Sequence, residues 1–133
     1  MSQENLELVR HIFEVFNTED IDQIVTLMHS ELVVEIASEV STEPDTYEGE
    51  EGMRRYFSSF RDVMEEIRFE PERLWDAGES VVVALRLTAK GRQTAIAVEQ
   101  RSAGVWTFRD GKVISVRAYA SPTEALRAAG VAE

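Results

Sequence analysis

The chain has no cysteine, which excludes disulfides and thiol catalysis. Its two histidines, His11 and His29, stand apart from each other and make no metal-ligand spacing. No run of about 18 apolar residues exists to span a bilayer. The first residues lack a basic segment followed by an apolar one, so no signal peptide is expected and the cytoplasm is the expected location. No phosphate-cradling glycine loop, nucleophile elbow or zinc spacing is present. Positive charge is scarce: 14 Lys and Arg stand against 25 Asp and Glu, a net charge of -11. Such a field repels polyanions and argues against nucleic acid or an anionic membrane as a partner. The acidic run Glu31, Glu35, Glu39, Glu43, Asp45, Glu48, Glu50, Glu51 lacks the Asp-x-Asp-x-Asp-Gly spacing of a calcium loop. It reads as a solvated flap over a pocket mouth, with no metal and no cofactor expected.

What is present is enough for one domain over residues 1–133, since 44% of the residues are hydrophobic. Leu6, Val9, Ile12, Phe13 and Phe16 recur at i, i+3, i+4 and predict an amphipathic helix over Asn5 to Phe16. Asp20, with Gln23 three residues on, is a capping box for a second short helix, expected to stop near His29. His29 would then suit the helix dipole. Leu32 to Ile36 reads as a strand, and Ser38 to Glu51 as a polar loop. Met53, Tyr56, Phe57, Phe60 and Met64 form the stripe of a third helix over about Glu51 to Glu66.

From Ile67 to Tyr119 the chain is strand-like. Strands are expected over Ile67 to Trp75, Ser80 to Ala89 and Thr94 to Phe108, the last with a bend or bulge near Ala103-Gly104. Asp110-Gly111 supplies the positive φ angles of a primed hairpin turn between Val105-Trp106-Thr107-Phe108 and Val113-Ile114-Ser115-Val116. Ser121-Pro122-Thr123-Glu124 starts a final helix that ends at Gly130. The order α-α-β-α-β-β-β-β-α implies an α+β cone: helices on one face of a curved, mostly antiparallel sheet, with a cavity between them.

The stretch from Asn5 to Asp22, the junction Tyr47-Glu48-Gly49-Glu50-Glu51-Gly52-Met53-Arg54-Arg55-Tyr56-Phe57, the hairpin from Val105 to Tyr119 and the tail from Ser121 to Val131 together resemble the nuclear transport factor 2-like superfamily, in its bacterial SnoaL-like branch. The resemblance covers nearly the whole chain. It implies the cone and a small-molecule pocket, on a fold that hosts isomerases, cyclases, epoxide hydrolases, dehydratases and non-enzymes. Where steroid isomerases of this fold carry their acid/base and oxyanion groups, this chain has Ile36, Gly104 and a position near Ile12. Where limonene epoxide hydrolase-like members carry an Arg and an Asp two residues apart, it has Arg86 and Thr88.

Alternation puts Val82, Ala84, Arg86 and Thr88 on one face of their strand and Val81, Val83, Leu85 and Leu87 on the other. The resemblance turns the Arg86 face into the cavity, where a guanidinium would hold a carboxylate, an enolate or a carbonyl oxygen. The competing reading is a structural ion pair with Glu99 or Glu35. Gln100 shares parity with Ser102, Gly104 and Trp106 and is a candidate pocket hydrogen-bonder. Trp106 and Trp75 are candidate stacking walls, and Phe57 is taken as a pocket residue. Glu99 is a candidate proton acceptor beside Arg86. The second apolar face of the Val81 to Leu87 strand needs a cover, which predicts a homodimer through the outer sheet face, with Tyr119 at the interface. Two functions stand: a binding module for a small hydrophobic or carbonyl- or carboxylate-bearing molecule, and a SnoaL-like isomerase, cyclase or hydratase/hydrolase.

Overall fold

The computed structural model describes residues 2–36 and 46–131. Glu39, Glu43 and Asp45, and with them most of the expected flap, lie outside the described residues. The chain folds as α1 (Ser2–Phe16), α2 (Ile21–Thr26), β1 (Met28–Ile36), β2 (Thr46–Glu48), α3 (Gly49–Val63), β3 (Met64–Ala77), β4 (Ser80–Gly91), β5 (Ala97–Arg109), β6 (Lys112–Tyr119) and α4 (Pro122–Ala129). None of these helices is long and apolar enough to cross a membrane.

The six strands form one sheet in the order β2-β1-β6-β5-β4-β3. β1 runs parallel to β6, and the other described pairs are antiparallel. The hairpin turn is as the sequence requires: Asp110 has φ +55° and Gly111 φ +73°. The Asp20 side chain accepts from the Gln23 N–H, and the Ser121 hydroxyl from the Glu124 N–H, so both helix starts are capped. Gly130 closes α4 in the left-handed region at φ +73°.

Three expectations are corrected. The second helix stops at Thr26, and His29 is a strand residue whose Nδ1 accepts from the Glu31 N–H at 3.0 Å. Met28 pairs with Val113 of β6, so sheet pairing takes over where the helix pattern has run out. A short strand, β2, lies at the end of the polar stretch and pairs with β1. The register of β5 against β4 is unbroken through Ala103 and Gly104, and the irregularity sits at Thr107 and Phe108, against β6.

The main core lies between α1, α2, α3 and the inner face of the sheet, with Val9, Ile12, Phe13, Ile24, Leu32, Val81, Val83 and Val113 almost fully enclosed. A second, smaller core forms on the opposite face. There Ala125 and Leu126 of α4 pack on Val82 and Ala103, flanked by Trp75, Val105 and Tyr119. Trp75 and Tyr119 thus belong to the outer face, and the chain itself covers that part of it.

Candidate functional site

α1 and α3 lie over the inner face of the sheet and both contribute residues to one cavity. Its volume is about 660 Å³, within the range of small-molecule sites. Its floor is the inner face of β4 and β5: Val83, Leu85 and Leu87 pair across the ladder with Gly104, Ser102 and Gln100. Val34 and Ile36 of β1 and Val116 and Ala118 of β6 extend the floor. The walls are Phe13 and Phe16 of α1 and Met53, Tyr56, Ser59, Phe60 and Val63 of α3.

Local sequence explains this lining. Apolar residues on alternate positions of β4 put branched aliphatic chains inward. Along α3, Met53, Tyr56 and Phe60 follow the three-and-four spacing that keeps one stripe facing the cavity. Gly52 lets this helix approach β2, because a Cβ there would meet the Tyr47 backbone carbon at 2.9 Å. Gly104 does the same for an indole: a Cβ at that position would stand 3.0 Å from Nε1 of Trp106.

Trp106 and Gln100 line the cavity as their parity requires. Arg86 does not. With Val83, Leu85 and Leu87 turned inward, alternation turns Arg86 to the outer face, so the orientation implied by the resemblance is corrected. Its Nη2 donates to Glu99 at 2.8 Å and its Nη1 to Glu70 at 3.4 Å. Arg101 continues the row, with Nη1 3.0 Å from Glu99 and Nε 3.1 Å from Glu72. The structural ion pair is therefore the observed state of Arg86. Glu99 reaches the cavity at its rim, and its carboxylate is turned back to these two guanidinium groups. The hydrogen bond from Arg86, and then its charge, hold the Glu99 carboxyl below the usual carboxylate range.

Phe57 is also corrected. One position beyond Tyr56 it is rotated about 100° around the helix, and its ring packs edge-on against Phe16 at 5.1 Å in the core. It borders a separate shallow cleft with Arg54, Arg61 and Arg92.

The sequence reading missed Tyr56 as a cavity residue. By spacing it belongs to the apolar stripe of the third helix. A tyrosine in such a stripe carries a hydroxyl that must find an acceptor or open space, and that was the available signal. Its ring lies 5.1 Å from Tyr47 and 5.0 Å from Phe60. Burial, and secondarily Tyr47, push its phenol well above the ordinary value, so it stays protonated. Among the described lining residues there is no Lys, Arg or His, and Glu99 is the carboxylate. The lining is apolar, with neutral hydroxyl, amide and indole groups set into it.

No curated protein matches the chain in sequence. Among solved structures, an NTF2-like protein of unknown function from Burkholderia pseudomallei superposes with a TM-score of 0.78 at 17% identity, over 93% of this chain and 95% of that one. An NTF2-like protein from Burkholderia xenovorans gives 0.75 at 25% identity, covering 97% of each chain. SalBIII, an epoxide hydrolase/cyclase-like enzyme with a role in pyran ring formation in the polyether salinomycin, gives 0.75 at 28% identity, over 91% of this chain and 93% of its own. The SnoaL-like domain family matches residues 9–116, and the chain belongs to that family.

Proposed function

We propose that this protein is a binding module that takes a small, mainly apolar molecule into the cone cavity without performing acid–base chemistry on it. The observation that carries this reading is the lining itself. It offers about 660 Å³ of largely apolar space. Among the described residues its one carboxylate is tied to Arg86 and Arg101 and held ionised. A general base near neutral pH needs a raised pKa, and a general acid needs a proton to give; Glu99 has neither.

The test is a thermal-shift screen with steroids, quinones, polyketide-like aromatics and carboxylates, on wild type, Ser102→Trp and Arg86→Ala. The indole of Ser102→Trp fills the cavity floor. The expected result is a compound that raises the melting temperature of wild type and Arg86→Ala and leaves Ser102→Trp unmoved. No shift with any compound in folded wild type overturns the reading, as does a shift that survives Ser102→Trp.

The 28% identity to SalBIII over 91% of the chain favours a second reading, a cyclase- or hydrolase-like enzyme in which Glu99 moves a proton. Conversion of a bound compound, seen by mass spectrometry and lost in Glu99→Gln, would select it over the first.

A homodimer through the outer sheet face belongs to the same proposal, as does a cytoplasmic setting. α4 covers much of the apolar outer face, and what remains open carries Glu70, Arg86, Glu99 and Arg101. Alternating charges of this kind are self-complementary about a two-fold axis.

A further inference from the structure

We infer that the cavity selects a neutral ligand through carbonyl oxygen, with the Tyr56 hydroxyl and the Trp106 indole N–H as the hydrogen-bond donors. This rests on the binding reading above and narrows it to a chemical class: ketones, quinones and lactones on an apolar skeleton.

Both donors are fixed in place by their neighbours. The Tyr56 ring is wedged edge-on among Tyr47, Phe57 and Phe60, with centroids 5.1, 5.6 and 5.0 Å away, which leaves the hydroxyl as its reaching end. The Trp106 ring stands edge-on to Phe13 at 5.2 Å. Gly104, two residues earlier on the same inner face, leaves open the place beside Nε1 that any side chain would fill.

Neither donor is used within the protein. Among the described residues, the Tyr56 hydroxyl and the Trp106 Nε1–H make no hydrogen bond, and neither atom is sealed off by surrounding protein. Polar groups in largely apolar surroundings are normally partnered, and an acceptor on whatever occupies the cavity can answer both. Donors set in advance lose little freedom on binding.

The charge of the lining sets the sign of the ligand. A carboxylate would enter a space with no lining Arg, Lys or His among the described residues, past the ionised Glu99 at its rim. An unpaired charge in such a space is strongly disfavoured. A carbonyl accepts from both donor types and brings no charge. A plain hydrocarbon fits the walls but leaves both N–H and O–H unanswered.

The test measures affinity by isothermal titration for fluorenone, fluorene and fluorenecarboxylate, which share a skeleton and differ in acceptor and charge. Wild type is expected to bind fluorenone about 5- to 30-fold more tightly than fluorene, the range of one to two neutral hydrogen bonds, and to bind the carboxylate more weakly than fluorenone. Tyr56→Phe keeps the ring packing and removes only the hydroxyl. In it the ketone preference is expected to fall toward unity while fluorene affinity is unchanged, with Trp106→Phe as a second, independent variant. A ketone preference that persists in both variants overturns the inference, as does a carboxylate that binds as well as the ketone. Binding of fluorene and fluorenone without preference also overturns it and leaves the binding reading standing. Binding of none of the three removes that reading and the inference with it.

Discussion

Gly104 and Trp106 act as one unit. A Cβ at position 104 would press on Nε1 at 3.0 Å and on Cδ1 at 3.3 Å of the indole, so a side chain there would make the ring shift by a few tenths of an ångström. Gly104→Asp is expected to lower stability by about 1–3 kcal/mol, from crowding and from a carboxylate set in apolar surroundings; urea unfolding reads this directly. Arg86 and Glu99 give a pH signature. Their hydrogen bond lowers the Glu99 pKa in the folded chain below its ordinary 4.5. The contribution is therefore present above pH 4.5 and is lost as the pH falls through the lower, folded value. The melting temperature of wild type is expected to drop on acidification by more than that of Arg86→Ala, with the two curves converging in acid. At the alkaline end, Tyr56 holds its proton when folded while an unfolded tyrosine loses it near 10. Stability is expected to fall as the pH rises above 10, and less so in Tyr56→Phe.

At the level of elements, β3 is an edge strand, and one side chain in the turn after α1 manages it. The Asn17 amide donates to the Phe69 carbonyl at 2.9 Å, and its oxygen accepts the Phe69 N–H at 2.7 Å. This mimics a strand partner where the sheet offers none. Asn17→Ala leaves both backbone groups unmatched in a partly buried place and is expected to cost about 1–3 kcal/mol in chemical denaturation. The tail helix α4 is as consequential. Leu126 is 2% exposed and packs on the outer face of the sheet. Leu126→Ala is expected to lose about 2–5 kcal/mol, with Trp75 fluorescence reporting the loosened packing. Both helix caps and the hairpin turn were legible in the sequence because a few adjacent residues satisfy their own backbone. β2 was not, since a three-residue strand is made by its partner β1 and has no local period.

For the molecule as a whole, two layers of helix on opposite faces of one sheet set what is open and what is covered. Aromatic edge contacts among Phe13, Phe16, Phe57, Phe69 and Trp106 tie the inner helices to the sheet beside the cavity. The outer helix replaces much of the apolar surface that a second subunit would otherwise have to bury. Sedimentation at micromolar concentration tests the remaining charged row as an interface. Dimer that dissociates as salt is raised would match a contact built on Glu70, Arg86, Glu99 and Arg101. A species of about 15 kDa, the mass of one chain, at every salt concentration would reject the homodimer.

By itself the sequence determined the α+β class, the strand and helix order apart from β2, the capped helix starts, the hairpin and the pairing of Gln100 with Trp106 on one face. Each rests on spacing, turn chemistry or a cap, all of which act within a few residues. It determined the alternation of β4 but not which side of it faces inward, because period two is blind to direction. Only the tertiary structure decided that. Enclosing Val83, Leu85 and Leu87 under the helices, with Arg86 among Glu70 and Glu99 outside, buries aliphatic surface and pairs the guanidinium with both carboxylates. The same packing turned Phe57 into the core and left Tyr56 lining the cavity. Helix rotation against the sheet fixes both, and that is set by contacts between residues far apart in the chain.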